Sequence, residues 1–192
     1  MPNWALCHIE ITGNMEKISK MLSKDEDGDV FLKNLVPYEG EWDYEWCCDN
    51  WGTKWDVGEN SLEVNDDGLC GWADFAWSPP MTCFEKYCNQ NDDVFIKMCF
   101  IEPNMSFLGY WDSNGNIIYE NDYNYRNHKY YCENYKKTCK IDVKEDFDFE
   151  YFEEWLKNQD DWFYDESDED SDEEDDSEEE LTCQFINEIA CY

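Results

Sequence analysis

Two short runs rich in Trp, Gly and Pro constrain the fold of this chain more than any other part of its sequence. Residues 50–56 read NWGTKWD and residues 75–80 read FAWSPP. Gly52 permits a tight turn, and a pair of prolines ends a strand. Neither run has the spacing of a nucleotide-binding, metal-binding or nucleophile motif. The two runs therefore indicate a type of domain more firmly than they indicate a chemistry.

Alternating apolar residues and turn residues predict the order strand, helix, two strands, helix, strand and hairpin. The predicted strands cover residues 4–12, 62–64, 69–77 and 94–101, and the predicted helices cover residues 15–23 and 81–89. Asp67-Gly68 and Asn114-Gly115 are favourable hairpin turns, and the second joins strands at 107–111 and 117–120. This order is that of an α+β, ferredoxin-like split βαβ sandwich with an added C-terminal β-hairpin. A partly helical acidic extension is expected to follow it.

A series of short motifs runs through the first part of the chain. In order they are MPNW at 1–4, ITG at 11–13, LVP at 35–37, the two Trp-rich runs, and Glu102 followed by Phe107 and Gly109. Together they make residues 1–122 resemble the YubB-type ferredoxin-like domain, a family of small proteins from plasmids, phages and other viruses. The resemblance implies the fold and a viral or mobile-element origin, and it implies no established activity. The Asn-rich composition and acidic tail suit a giant virus, that is, a large DNA virus of a eukaryote.

Composition divides the chain into four parts. Residues 1–122 form the predicted domain, and residues 123–164 a Tyr/Asn/Lys-rich and then aromatic–acidic extension that is predicted to be partly helical. Residues 165–180 are almost all acidic, cannot collapse into a core, and are predicted to be a disordered linker. Residues 181–192 regain apolar character and are predicted to be a short docking segment.

The acidic linker contains three serines that each precede an acid by three residues, namely Ser167, Ser171 and Ser177. This pattern is typical of substrates of acidophilic kinases of the casein kinase 2 type. Each phosphate would add about −1.5 to −2 charge. The alternative is that the linker is an unmodified, solubilising spacer.

The charge of the chain is extreme, with 14 Lys and Arg against 48 Asp and Glu and a net charge of −34. Such a surface repels phosphates, so direct binding to nucleic acid is not expected. It favours a protein partner that is basic. The alternative is that the charge reflects solubility and the biased composition of an AT-rich genome. The oligomeric state cannot be predicted from these features.

The ends and the cysteines of the chain bear on its location. The N-terminus lacks the basic and apolar regions of a signal peptide, and no apolar stretch reaches the ~20 residues of a membrane span. The 11 cysteines include no Cys-x-x-Cys pair and are interpreted as reduced structural thiols, with no metal and no cofactor. We therefore expect an intracellular protein that is not secreted, in the cytoplasm of the infected host cell or in a virus factory.

The candidate site residues form two groups. The first comprises signature residues that line a ligand pocket or pack in the core, and its members are Asn50, Trp51, Gly52, Lys54, Trp55, Asp56, Trp77, Ser78 and Glu102. The second comprises apolar residues at helical spacing that are predicted to bind a partner, and its members are Phe149, Phe152, Trp155, Leu156, Leu181, Phe185 and Ile189. No residue is assigned as catalytic.

Within the first group, each residue has a structural and a functional interpretation. Trp51 and Trp55 are preferred as core residues over pocket walls. Ser78 is predicted to cap the following helix, because no nucleophile elbow surrounds it. Glu102 and Asp56 would form an acid–base pair only if the fold brought them together.

The leading functional hypothesis is a non-enzymatic, virus- or mobile-element-encoded interaction factor that acts through its acidic surface and tail on a basic protein. One alternative is an inhibitor that mimics a polyanion and blocks a host nucleic-acid enzyme or defence system. Another is a small-ligand binder or an unrecognised enzyme that uses Trp51, Trp55 and Trp77. Whether the chain is an enzyme stays open, with the sequence leaning against it.

Overall fold

A seven-stranded, wholly antiparallel sheet organises a mixed α+β fold in the computed structural model. The structure describes residues 3–159, apart from residues 27, 122 and 124–127 and the side chain of Tyr131. The strands are β1 (Trp4–Gly13), β2 (Ser23–Lys24), β3 (Asp29–Val30), β4 (Glu63–Val64), β5 (Leu69–Ala76), β6 (Val94–Glu102), β7 (Phe107–Asp112), β8 (Ile117–Glu120) and β9 (Lys140–Asp142). The large sheet has the order β4-β5-β1-β6-β7-β8-β9, and β2 and β3 form a separate pair.

Six helices are found in the described part of the chain. They are α1 (Met15–Ile18), α2 (Leu32–Leu35), α3 (Tyr44–Trp51), α4 (Met81–Cys88), α5 (His128–Thr138) and α6 (Phe149–Lys157). The predicted helix at 15–23 is shorter than expected, because the chain turns after Ile18 and Ser23 pairs with Val30 in the small sheet. The segment that the sequence left ambiguous becomes α3, and the Asp43 carboxylate accepts a hydrogen bond from the Trp46 N–H at its first turn, at 2.7 Å.

Residues of β1 alternate between two different faces of the sheet. Ala5, Cys7, Ile9 and Ile11 are fully buried, whereas the residues between them are half-buried. Successive side chains of a strand point to opposite faces. The buried set joins apolar residues of β5, β6, β7 and α1 to α4 in one core. We call this side of the sheet the inner face and the opposite side the outer face.

Both predicted hairpins are confirmed. β4 pairs with β5 across Asp67-Gly68, and β7 pairs with β8 across Asn114-Gly115. Gly68 has a φ of +157°, and a Cβ atom at this position would lie 2.0 Å from the carbonyl oxygen of Ile11. Only glycine therefore allows this turn to approach β1 so closely.

The extension after residue 122 belongs to the same structural unit as the strands before it. β9 pairs with β8 in the large sheet, and the ring of Phe152 in α6 lies 6.4 Å from that of Tyr110 in β7. Met1–Gln159 clusters as one compact unit. The boundary expected at residue 122 is thus corrected, because the later residues complete the sheet and cover its outer face. Residues 160–192, which include the predicted linker and docking segment, lie outside the described residues.

Candidate functional site

The two Trp-rich runs lie side by side in the structure. The Thr53 hydroxyl donates to the carbonyl of Ala76 at 2.8 Å, and the Ser78 hydroxyl donates to the carbonyl of Gly52 at 2.5 Å. Gly52 ends α3 with a φ of +80°, and its N–H donates to the carbonyls of Cys47 and Cys48. The left-handed conformation explains the glycine here.

Ser78 does not cap the following helix, so this prediction is wrong. α4 begins at Met81 after Pro80, which provides no side-chain cap. The Ser78 hydroxyl instead ties the second Trp-rich run to the first through Gly52. A long-range hydrogen bond of this kind cannot be inferred from the local sequence.

Trp51 and Asn50 have structural roles. The Trp51 side chain is 4% exposed, and its indole N–H donates to the carbonyl of Val36 at 2.9 Å. The Asn50 side-chain oxygen accepts a hydrogen bond from the Lys86 ammonium at 2.9 Å. Trp51 therefore packs in the core as predicted, whereas the same prediction for Trp55 is corrected, because Trp55 is half-buried and lies outside the core.

Asp56 holds the start of α2. Its carboxylate accepts hydrogen bonds from the backbone N–H groups of Phe31, Leu32 and Lys33 at 2.7 to 3.0 Å, and from that of Val57 at 2.7 Å. A carboxylate at a helix N-terminus satisfies N–H groups that have no partner within the helix. Three of these four contacts reach Oδ1 and one reaches Oδ2, so both carboxylate oxygens of Asp56 are used in holding backbone.

Glu102 serves a different turn. It is fully buried at the end of β6 and accepts hydrogen bonds from the backbone N–H of Met105 and the side chain of Asn104. It shares no hydrogen-bond partner with Asp56 among the described residues. Each carboxylate thus stabilises backbone of its own, and the geometry gives no support to an acid–base pair.

An exposed aromatic surface forms where the two runs meet. The rings of Trp42 and Tyr44 are 6.4 Å apart, those of Tyr44 and Trp77 are 5.9 Å apart, and those of Trp55 and Trp4 are 6.1 Å apart. The Lys54 ammonium joins the two sets, since it lies 4.7 Å from the ring centre of Trp77 and 4.3 Å from that of Trp55. We call these five rings with Lys54 the aromatic surface.

Two members of the aromatic surface are strongly exposed. Trp42 is 54% exposed and Tyr44 is 43% exposed, whereas Trp4, Trp55 and Trp77 are half-buried. Trp42 and Tyr44 are not among the site residues predicted from the sequence, and Trp4 is predicted only as part of the MPNW motif. The available signal was the alternation of acids and aromatics over residues 39–46 (EGEWDYEW).

Trp77 has an unusual backbone conformation. Its φ is +75°, in the left-handed region that bulky residues avoid. The Trp77 N–H donates to the carbonyl of Asn3 at 2.8 Å, which holds the backbone in place. Such a conformation costs on the order of 1–3 kcal/mol. It places the indole beside Lys54 and Tyr44.

Carboxylates border the aromatic surface. Glu39, Glu41, Asp43 and Glu45 are all exposed on the segment that carries Trp42 and Tyr44. Burial and then the negative charge of Glu59 raise the pKa of Asp74, which lies on β5, the strand that pairs with β1 at Trp4. The aromatic surface therefore lies in a negative electrostatic potential.

A polar network on the outer face is a second candidate site. The Lys97 ammonium lies 2.8 Å from a carboxylate oxygen of Glu10 and 3.6 Å from the ring centre of Tyr151. The Tyr151 hydroxyl donates to the other Glu10 oxygen at 2.8 Å. Burial alone would raise the pKa of Glu10, but the hydrogen bonds from Lys97 and Tyr151 and the charge of Lys97 lower it overall. Burial lowers the pKa of the neighbouring His8.

A cavity of about 440 Å³ adjoins this network between the sheet and the segment before α6. Asp112 faces it, but its carboxylate already accepts hydrogen bonds from the Tyr110 hydroxyl, the N–H groups of Asn114 and Asn116, and the Asn116 amide. Burial, followed by the charge of Asp112, raises the pKa of Tyr110. The polar groups therefore satisfy one another, and the arrangement fastens α6 to the sheet.

His128 and Cys132 come close enough to suggest a nucleophile and its base, because the Cys132 sulfur lies 3.2 Å from His128 Nε2. The same Nε2 lies 2.8 Å from the carbonyl oxygen of Leu156, and His128 Nδ1 lies 2.8 Å from the Tyr123 hydroxyl. A carbonyl oxygen only accepts, so Nε2 carries a hydrogen in this arrangement. With its proton on Nε2, the imidazole cannot take a proton from Cys132 there.

Three of the predicted partner-binding residues are internal. Phe152 and Leu156 are fully buried and Trp155 is 6% exposed. They lie on the side of α6 that packs against α5 and the outer face of the sheet. Their assignment as partner-binding residues is corrected, whereas Phe149 is half-buried. The remaining predicted residues, Leu181, Phe185, Ile189, Ser167, Ser171 and Ser177, lie outside the described residues.

Within the described ranges, no group of three or more His, Cys, Asp and Glu side chains is arranged to hold a metal ion. None of the six described helices, α1 to α6, has the length and apolar character of a membrane-spanning helix. Comparison of the chain with protein-family models, with curated proteins and with solved structures gives no match.

Proposed function

We propose that this protein is a non-enzymatic interaction factor that binds a basic protein partner. The observation that carries the proposal is how the chain uses its few cations. Lys17, Lys24, Lys97 and Lys136 each pair with a carboxylate, and Lys54 lies against two indole rings. Most of the carboxylates therefore have no cation of this chain to neutralise them.

An excess of exposed carboxylates creates a negative electrostatic potential around the protein. It speeds the encounter with a positively charged partner and repels phosphates. The attraction is screened within about 8 Å at physiological ionic strength. Residues 165–180 contribute 13 further acids to the net charge of the chain.

The strand order supports a ferredoxin-like core within this factor. β4, β5, β1 and β6 are neighbours in the sheet, α1 to α3 connect β1 with β4, and α4 connects β5 with β6. This order is consistent with a split βαβ arrangement to which three further strands are added beside β6. Together with the motifs of residues 1–122, it supports a YubB-type domain encoded by a virus or mobile element. Such a factor would act in the cytoplasm of the infected cell or in a virus factory.

Affinity capture from infected cells tests the proposal. The tagged full chain, a version that ends at Tyr164 and an E39Q/E41Q/E45Q variant are compared at low and high salt. We expect a basic partner that the full chain retains and that high salt releases. An E26Q/E85Q/D92N variant changes the net charge equally at other exposed positions and is the matched control. Partners that are acidic or neutral, or that salt does not release, would contradict the proposal.

Mimicry of a polyanion is the second candidate, and the same excess of carboxylates favours it. It requires the partner to be a nucleic-acid enzyme whose nucleic-acid site is covered. Free DNA or RNA would then displace this protein from the captured partner. Binding that persists in saturating nucleic acid would exclude this candidate and leave the interaction factor.

A small-ligand site built on Trp51, Trp55 and Trp77 receives less support. Trp51 is buried in the core, and the Lys54 ammonium already lies against Trp55 and Trp77. The geometry therefore favours a surface for a macromolecule.

A further inference from the structure

We infer that the aromatic surface is the docking site for an arginine-rich segment of the protein partner. This inference rests on the proposed function and assigns that function to a place on the molecule. The surface consists of Trp4, Trp42, Tyr44, Trp55 and Trp77 around Lys54, and its occupant is a cationic peptide segment.

Exposure is the first reason. Trp42 is 54% exposed and Tyr44 is 43% exposed, although each has another aromatic ring beside it. Trp, Tyr and Arg are enriched among the residues that dominate the energetics of protein interfaces. A chain of neighbouring rings also provides flat faces on which planar groups can stack.

The position of Lys54 is the second reason. Its ammonium lies 4.3 Å from one indole centre and 4.7 Å from another, which is within the range of a cation–π interaction. The fold thus already uses these rings to hold a cation. The faces of Trp42 and Tyr44, which contact no cation among the described residues, can bind a cation from outside.

Charge complementarity selects the occupant. The exposed carboxylates of Glu39, Glu41 and Glu45 flank Trp42 and Tyr44, and no ion pair to them is seen in the described part of the chain. A guanidinium group can stack on an aromatic ring and also bind a carboxylate through two N–H groups. Arginine satisfies both features of the surface, whereas a phosphate backbone would be repelled.

The strained backbone at Trp77 fits this assignment. A φ of +75° is maintained at a residue whose ring contributes to the surface between Tyr44 and Lys54. A bulky residue adopts a left-handed backbone conformation only where the surrounding structure enforces it. Residues with such strained conformations cluster at functional sites, including ligand-binding sites.

The test measures binding of the full chain to a fluorescent Gly/Ser peptide with a few spaced arginines. Versions of the peptide with lysine or citrulline in place of arginine are compared at fixed ionic strength. We expect the arginine peptide to bind most tightly, the lysine peptide less tightly and the citrulline peptide least tightly. A W42A/Y44A variant, which keeps every charge, should bind the arginine peptide roughly 10-fold more weakly. An M105A/Y130A variant removes two exposed side chains elsewhere and should bind as the wild type does.

The charge of the rim is tested separately by E39Q/E41Q/E45Q against E26Q/E85Q/D92N. The first variant should weaken binding several-fold more than the second, although both change the net charge equally. Equal effects would mean that only overall charge matters and would overturn the assignment. Citrulline binding equal to arginine binding, or unchanged binding by W42A/Y44A, would overturn it as well.

Other occupants give distinct outcomes. Self-association that W42A/Y44A abolishes in ultracentrifugation would assign the surface to a second copy of the chain. Binding of oligothymidine that the same variant abolishes would assign the rings to base stacking. Either result would overturn the assignment of an arginine-rich segment as the occupant of the aromatic surface. If W42A/Y44A still captures a basic partner from cells, the surface is wrong and the proposed function stands, whereas absence of any basic partner of the wild type refutes both.

Discussion

The inner and outer faces of the sheet are built from alternate residues of the same strands, yet they are stabilised differently. On the inner face, Ile9, Ile96 and Phe84 pack in a dry core. On the outer face, Glu10 and Lys97 form an ion pair that α6 covers with aromatic rings. On the inner face, burial raises the pKa of the Cys7 thiol and keeps it neutral, whereas the outer network depends on the protonation of its members. The two faces should therefore respond differently to mutation, pH and salt.

The largest expected effect tests whether the outer face is a core of its own. Phe152→Ala should lower the free energy of unfolding by about 3–5 kcal/mol, the cost of removing a buried aromatic ring. Phe84→Ala on the inner face should cost a similar amount. Urea denaturation measures both, and Phe149→Ala, at a half-buried position, is the smaller-effect control. A negligible effect of Phe152→Ala would mean that α6 is only loosely attached.

A smaller loss of stability is expected at Asp56, whose carboxylate caps the start of α2. Asp56→Ala leaves the first N–H groups of α2 without their acceptor and should cost about 2 kcal/mol. Asp56→Asn retains one acceptor oxygen and should cost less. Thermal unfolding distinguishes the two, and equal melting temperatures for both variants and the wild type would contradict the capping role.

The outer network should make stability depend on pH. The folded pKa of Glu10 is below its ordinary value of 4.5, so the folded state favours the charged form. This contribution is present above pH 4.5 and is lost as the pH falls through the folded pKa. Glu10→Gln should flatten the pH dependence in that window. Tyr151→Phe should cost about 1.5 kcal/mol at pH 7, because a hydrogen bond to a charged group is lost. A pH profile unchanged in Glu10→Gln would show that the network is not coupled to folding.

The smallest effect is expected outside both faces. Lys20 and Glu16 form an exposed pair at 3.1 Å on α1 and the turn after it. Lys20→Gln should change the free energy of unfolding by less than about 0.5 kcal/mol, since exposed pairs contribute little. Measured beside Tyr151→Phe, it sets the baseline for an ion pair that nothing covers. A loss equal to that of Tyr151→Phe would remove the distinction between covered and exposed polar contacts.

The inner face was the more predictable of the two. Alternation in β1 and the turns at Gly68 and Gly115 are local signals, and they placed strands and hairpins correctly. The spacing of Phe149, Phe152 and Leu156 predicted an apolar helical stripe, but spacing does not reveal which surface the stripe covers. The same spacing is compatible with a partner-binding helix and with a helix that packs on the sheet, and the structure shows the second.

The candidate site was less predictable, for a related reason. Asp56 caps a helix that begins 24 residues earlier, and Ser78 bonds to Gly52, 26 residues before it. Such contacts depend on how the elements pack. Exposure of Trp42 and Tyr44 is also a property of packing, since the sequence composition alone would place tryptophan in a core.

The outermost strands of the large sheet have a consequence for how the folded chain meets other copies of itself. In the described part of the chain these are β4, with two residues, and β9, with three. Glu63, Lys140 and Asp142 are exposed on them. Short, charged edge strands offer few free backbone groups to an incoming strand. The long apolar strands β1 and β6 are paired on both sides. In the described part of the chain, the edges of the large sheet therefore disfavour the strand-by-strand stacking that produces amyloid.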